Sequence, residues 1–249
     1  MPDDIGPLVT TDWLASHLDD PTVRVIDVTG HLDEDRRNLA HDAYLDAHIP
    51  GAVWFDVASA NGELSDPSSP LPWTWPPLAQ IESAMGRIGV DADTLVVVTA
   101  RSSSDPYGHG TMWCTRTWWT LHHSGVRCAI LEGGLECWTT EGRPTESGEV
   151  AVAPREFHGV DHRDRAIADR DDVQRALADA ASCVIDALPE ASYVGERVSY
   201  ARAGHITGAT NVPFRRLIAA PTADFVPVAE ARELFEAAGV FDRDRAVLY

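Results

Sequence analysis

Two acidic residues each close a β-branched run, Asp27 after Val25-Ile26 and Asp186 after Val184-Ile185. A carboxylate at the end of a buried parallel strand lies where open α/β sheets gather their reactive groups, beside helix N-termini whose free N–H groups attract anions. Downstream of each acid stands a histidine turn, His48-Ile49-Pro50-Gly51-Ala52 and His205-Ile206-Thr207-Gly208-Ala209. An imidazole beside a carboxylate could serve as a base, but the proline and glycine after it suit a tight turn, and a structural role for both histidines is the better reading. Serine nucleophiles are conceivable at Ser102-Ser103-Ser104, yet no Gly-x-Ser-x-Gly elbow is present. Gly108-His109-Gly110 is only half of a dinucleotide fingerprint.

The four cysteines, Cys114, Cys128, Cys137 and Cys183, form no Cys-x-x-Cys pair, and their spacing matches neither a disulfide framework nor a familiar metal motif. Each falls in a predicted helix or strand, or in the segment just after one, away from a strand-to-helix loop. None is therefore expected to act as a nucleophile.

These residues are positioned by a repeat. The two acids are 159 residues apart and the two histidines 157, and such near-equal offsets predict a duplicated domain. In each copy the acid ends a buried parallel strand, Val23 to Val28 and Cys183 to Ala187. Leu8 to Leu14 reads as a short strand entering a helix, with Thr10 or Thr11 as its cap, and Ile167 to Val173 is expected to open the second copy likewise. Between Gly30 and Asp46 the chain is polar and reads as a connection. Residues 61–77 hold five of the 16 prolines with Trp73 and Trp75, and predict an extended segment packed over a surface. A helix over 78–88, a strand over 94–99, an aromatic-rich helix over 112–123 and a strand over 128–131 complete the alternation of an α/β unit. Residues 142–164 lack periodicity and read as a linker, with Phe157 expected to pin it to a domain.

Composition narrows the functions. A net charge of −19 disfavours nucleic acid and anionic membrane surfaces as partners, and no run of 18 apolar residues suggests a membrane span. With an acidic start in place of a basic one, the reading is a cytoplasmic protein. There is no lysine, so a Schiff-base lysine and the Gly-Lys-Ser/Thr phosphate loop are excluded, and every basic side chain is an arginine or a histidine.

Taken together, Val-Ile-Asp, His-Ile-Pro-Gly-Ala, Met112-Trp113-Cys114-Thr115-Arg116-Thr117-Trp118-Trp119 and Leu131-Glu132-Gly133-Gly134-Leu135-Glu136-Cys137-Trp138 resemble the tandem-domain rhodanese family. Asp186 with Gly204 to Phe214 resembles its catalytic domain. The resemblance implies an α/β fold of two tandem rhodanese-like domains, each a mainly parallel sheet flanked by helices, the second incomplete at its C-terminus. Domain 1 (1–141) would be non-catalytic, 142–164 the linker, and 165–249 the catalytic-type domain. The implied activity is sulfur transfer from thiosulfate or 3-mercaptopyruvate to cyanide or a thiol through a cysteine persulfide, with no metal or organic cofactor. By position, Asp186 matches a supporting aspartate of the catalytic domain. Where the family has a donor-binding arginine before an aromatic, this sequence has Ser192 before Tyr193, which leaves Arg197 and Arg202 to supply the charge. Met112 and Trp113 match residues that wall the family's pocket. An inactive rhodanese-like binding or regulatory module is the alternative.

Aligning the copies on their valine runs sets Val96-Val97-Val98 on Val247-Leu248-Tyr249 and makes the residue after Tyr249 the counterpart of Thr99. In the family's catalytic domain that position is the cysteine. The polypeptide is therefore expected to continue with a cysteine, and these 249 residues alone are expected to be inactive.

Overall fold

The computed structural model describes residues 5–31, 37–101, 109–162, 166–198, 201–219 and 224–249. The chain divides into two compact units: Met1–Arg165 with Thr222–Asp224, and Ala166–Pro221 with Phe225–Tyr249.

Unit 1 alternates strand and helix: β1 (Leu8–Val9), α1 (Thr11–His17), β2 (Val23–Asp27), α2 (Arg37–Asp46), β3 (Val53–Trp54), α3 (Leu78–Arg87), β4 (Leu95–Thr99), α4 (His109–His122), β5 (Arg127–Leu131) and α5 (Gly134–Thr140). All strand pairs are parallel, in the order β1-β5-β4-β2-β3. Because side chains alternate along a strand, Val23, Val25, Leu95, Val97, Ala129 and Leu131 share one face and pack with Leu14, Leu135 and Trp138. Ile26, Val96 and Val98, between them, are 0% exposed, so both faces of the sheet are covered. Each such aliphatic side chain contributes roughly 1.5–3 kcal/mol relative to exposure. Thr10 caps α1, its Oγ1 accepting the Trp13 N–H at 3.1 Å.

Three parts of unit 1 differ from the sequence reading. The polar stretch before His48 contains the helix α2, whose inner edge is buried through Ala40 and Tyr44, four residues apart; with Leu39 exposed beside them, its apolar residues do not form one clear stripe. Helix α4 begins at His109, three residues before Met112. Finally, the segment after α5 runs along unit 1. Arg155 N–H donates to Gly86 C=O, Val160 N–H to Ser124 C=O and His162 N–H to His123 C=O, while Phe157 is 6% exposed. The proline-rich segment packs on α4 as expected. Arg116 Nη2 donates to the carbonyls of Leu64 and Trp73, and the Trp73 indole N–H donates to Ala58 C=O at 2.9 Å.

Unit 2 contains α6 (Arg170–Ala178), β6 (Ser182–Asp186), α7 (Glu190–Tyr193), β7 (Thr210–Asn211), α8 (Val228–Ala237) and β8 (Arg245–Leu248), with a parallel sheet in the order β7-β6-β8. Asp169 and Asp172 form a capping box that starts α6. Val184, Val247, Ala209 and Ala176 make its core, with Ala168 and Val173 packed against it. No described residue ahead of α6 forms a strand, which corrects the expectation for Ile167. In unit 1 the corresponding edge strand β1 pairs only with β5, and unit 2 has no described strand in that place to pair with.

Strand register relates the two units residue by residue. Asp27 faces Thr99 and Trp54; Asp186 faces Asn211, and Ile185 faces Leu248. Val28 N–H donates to Thr99 C=O at 2.8 Å, and Ala187 N–H to Tyr249 C=O at 3.0 Å. Tyr249 is thus the counterpart of Thr99, and the residue after it corresponds to Ala100. The alignment on valine runs is off by one, because a repetitive apolar strand slides without penalty in sequence, whereas a one-residue slip in the sheet would turn every side chain to the opposite face.

Candidate functional site

The C-terminal end of the unit 2 sheet is organised by Asp186, which is 1% exposed. Its Oδ1 accepts the Leu188 N–H at 2.8 Å, the same two-residue link by which Asp27 Oδ1 accepts the Thr29 N–H at 2.9 Å. Asn211 locks the strand-end loop, its Nδ2 donating to the carbonyls of Asp186 and Leu188, both at 2.9 Å. The Tyr249 hydroxyl accepts the Ile206 N–H at 2.8 Å. Burial pushes the Tyr249 phenol above its ordinary pKa; the Ile206 N–H opposes that rise and the Asp186 carboxyl adds to it.

Ile206 belongs to the second histidine turn. Ala209 N–H closes the turn on Ile206 C=O at 2.9 Å, and Gly208 takes φ 94°, a backbone angle that a residue with a Cβ adopts only with strain. The first turn does the same, with Ala52 N–H on Ile49 C=O and Gly51 at φ 74°. Each histidine is held by a tyrosine. His205 stacks on Tyr193 and its Nδ1 bonds the Tyr193 carbonyl at 2.8 Å, while the Tyr193 hydroxyl donates to Ala209 C=O at 2.8 Å. His48, Tyr44 and Ala52 repeat this set, with both bonds at 2.8–2.9 Å. These imidazoles are committed through one nitrogen to structural bonds.

Gly195 and Gly204 approach each other at this clamp: a Cβ on Gly195 would lie 3.4 Å from the Gly204 nitrogen. Arg197 and Arg202, between them in sequence, are both exposed. Ser192, by contrast, is 6% exposed and enclosed in unit 2.

In unit 1 the corresponding strand end is built differently. Asp27 is 0% exposed, its Oδ2 and the Thr99 hydroxyl have no hydrogen-bond partner among the described residues, and burial raises its carboxyl pKa against the opposing Thr29 hydrogen bonds. The His48 turn is tied by Glu146, whose backbone exchanges two 2.9 Å hydrogen bonds with His48 and whose Oε2 accepts the Gly51 N–H at 2.8 Å. Arg101 caps α2, with Nη2 on the carbonyls of Ala43 and Ala47. Trp113, 2% exposed, packs into unit 1 next to Gly30, with Trp73 6.3 Å away; Met112 is half-buried beside it on α4. Ser102, Ser103 and Ser104 lie outside the described residues.

None of the cysteines is set up as a thiolate. Cys114 is buried and its pKa strongly raised by desolvation, Cys128 is pushed up to about 12 by the same cause, and Cys137 and Cys183 are raised by burial too. All four are free. Sequence reasoning missed Tyr44, Tyr193 and Tyr249. The two clamping tyrosines precede their histidines by four and twelve residues, so they escape any fixed-offset search, and Tyr249 aligned out of register.

The profile of the family described as "Rhodanese-like domain" matches residues 10–141. The chain is 36% identical over 216 residues to 3-mercaptopyruvate sulfurtransferase of Escherichia coli K12, covering 84% of this chain and 72% of that protein. It is 29% identical over 220 residues to thiosulfate sulfurtransferase of Rattus norvegicus, covering 85% and 70%. Among solved structures, Escherichia coli SseA, described as a 3-mercaptopyruvate sulfotransferase with the rhodanese fold, superposes with a TM-score of 0.83 at 33% identity, over 98% of this chain and 88% of that one.

Proposed function

The chain belongs to the rhodanese family and is an enzyme of the rhodanese type, and from that premise we propose that it takes a sulfane sulfur from thiosulfate or 3-mercaptopyruvate and delivers it to a thiol or cyanide through a cysteine persulfide. A thiolate attacks the outer sulfur of the donor. With thiosulfate the S–S bond breaks and sulfite leaves with the electron pair; with 3-mercaptopyruvate the C–S bond breaks and the carbon takes the pair and a proton to give pyruvate. Cyanide or a thiol then attacks the persulfide sulfur and releases the cysteine thiolate.

The observation that carries this reading is the shared build of the two strand ends, where Ala187 N–H donates to Tyr249 C=O beside Asp186 as Val28 N–H donates to Thr99 C=O beside Asp27; at such an end backbone N–H groups can both depress a thiol pKa and hold an anion. All four cysteines present have raised pKa values, so none of them is assigned as the nucleophile. Unit 2 is then the catalytic domain, residues 1–141 the non-catalytic one and 142–164 the connection. Asp186 orders the site, and Arg197 and Arg202 receive the anionic donor. We also place the enzyme in the cytoplasm, where acceptor thiols are kept reduced; among the described residues no helix is long and apolar enough to cross a membrane.

The test is to assay the protein as its gene encodes it for thiocyanate from cyanide and sulfide from a thiol, with each donor. Cysteine-dependent turnover is expected, with KM for the donor raised several-fold in Arg197→Ala and Arg202→Ala. No turnover of either donor would overturn the sulfurtransferase reading, and an unchanged KM in both variants would overturn the role of the arginines.

A further inference from the structure

A cleft of about 350 Å3 opens on unit 1 between the edge strand β3, the C-terminal end of α3 and the segment 149–152. That volume suits a small organic molecule. Val53, Ile88 and Val152 give the cleft an apolar lining, and the Trp54 indole forms part of its wall. The rings of His41 and Tyr44 stand against the indole, with centroids 5.4 Å and 5.6 Å away, and Tyr44 is fully buried, so the indole is braced from the core. Both sides of the cleft are fixed by backbone bonds. Glu63 N–H donates to Asp56 C=O at 2.7 Å and Gln80 Nε2 to Glu63 C=O at 3.0 Å. Opposite them, Gly148 N–H donates to Leu45 C=O at 2.8 Å and Arg155 N–H to Gly86 C=O at 2.9 Å, which fastens the chain on either side of 149–152 to unit 1. A pocket formed in advance loses little ordering entropy when it is filled.

The charges around the indole select the ligand. Asp56, Glu63 and Glu149 line the cleft against the single guanidinium of Arg87. Arg87 Nη2 is paired with Glu63 Oε1, which leaves the carboxylates of Asp56 and Glu149 in excess. Asp56 is held in place by the N–H and hydroxyl of Ser59, while Glu149 meets His41 Nε2 through one oxygen, Oε1, at 2.9 Å and keeps 64% of its side chain in solvent. Such a lining repels an anion, and a neutral ligand gains nothing from it. A cation gains from both carboxylates and from the electron-rich face of an indole.

We propose that this cleft is a binding site for a small organic cation, a guanidinium or ammonium group on a short apolar body, with Asp56, Glu149 and Trp54 taking the charged head and Val53, Ile88 and Val152 the body. The site lies wholly within unit 1 and uses none of the groups assigned to sulfur transfer, so it stands or falls independently of that reading.

Butylguanidinium and butylurea have the same shape and differ in charge, which makes them the probes. Each is titrated into the protein at neutral pH and low salt while the indole N–H resonance of Trp54, assigned through Trp54→Phe, is followed by heteronuclear NMR. Butylguanidinium is expected to move that resonance with a Kd about tenfold below that of butylurea, and added salt should narrow the gap. Glu149→Gln changes an exposed side chain and leaves the fold intact; it should weaken butylguanidinium by about threefold and leave butylurea as it was. Equal affinities for the two probes, a Trp54 resonance that neither probe moves, or a Glu149→Gln protein that binds butylguanidinium as the parent does would each overturn the proposal.

Discussion

The ring of His205 lies 3.7 Å from that of Tyr193 and 12° from parallel to it, and His48 stands on Tyr44 at 4.2 Å and 16°. In both pairs the histidine Nδ1 meets the tyrosine carbonyl and the tyrosine hydroxyl reaches the alanine that ends the turn. The two partners are four residues apart in sequence in unit 1 and twelve apart in unit 2. Conserving this contact while the intervening chain changes length frees the second copy to carry two arginines where the first has only a helix turn.

The Tyr44 hydroxyl is the more costly of the two to remove. Tyr44 is 0% exposed, so Tyr44→Phe leaves the Ala52 carbonyl buried and unpaired, and should lower stability by about 1–3 kcal/mol. Tyr193 is half-buried, and Tyr193→Phe should cost about 1 kcal/mol or less. Urea unfolding followed by tryptophan fluorescence and circular dichroism measures both, and equal losses would contradict the difference in burial.

Asp27 predicts a pH dependence. Its folded pKa is raised by burial, so the folded state prefers the protonated carboxyl, and its contribution to stability is complete below the ordinary carboxylate pKa and lost as pH rises through the raised value. Asp27→Asn, which keeps the Oδ1 acceptor for the Thr29 N–H, should gain stability relative to the parent as pH increases above about 4. Urea midpoints from pH 4 to pH 8 give the comparison; parallel curves for the two proteins would refute it.

The thiols should react slowly. With Cys114 buried and Cys128 raised to about 12, neither should label with iodoacetamide in the folded protein at pH 7, and Cys137 and Cys183, though partly exposed, should react more slowly than a free thiol. Mass spectrometry of the labelled protein identifies the sites. Rapid modification of Cys114 would mean that its burial is wrong.

Arg116 should be the fastening of the proline-rich segment. Its guanidinium donates to the carbonyls of Leu64 and Trp73 from a desolvated position that lowers its own pKa. Arg116→Ala should destabilise unit 1 by about 2–3 kcal/mol and expose residues 61–77 to proteolysis. An unchanged digestion pattern would locate the fastening in Trp73 instead.

Much of this protein was legible in its sequence because the signals are local. β-branched runs ending in Asp27 and Asp186 specify buried parallel strands, Thr10 specifies a helix start, and the glycines of the two turns specify a positive φ that other residues resist. Repetition of these pieces at near-constant offsets pointed to a repeat, and the motifs together were enough to reveal the family. Contacts between distant residues were decided only by the tertiary structure. The valine runs admit several registers in one dimension, and hydrogen bonding of Val28 to Thr99 and of Ala187 to Tyr249 selects one. Helix α2 mixes its apolar residues with charged ones and forms because Ala40 and Tyr44 have a core to meet. The meeting of Tyr249 with Ile206 joins residues 43 positions apart, and no spacing rule encodes it: parallel pairing brings strand ends together whatever the length of chain between them.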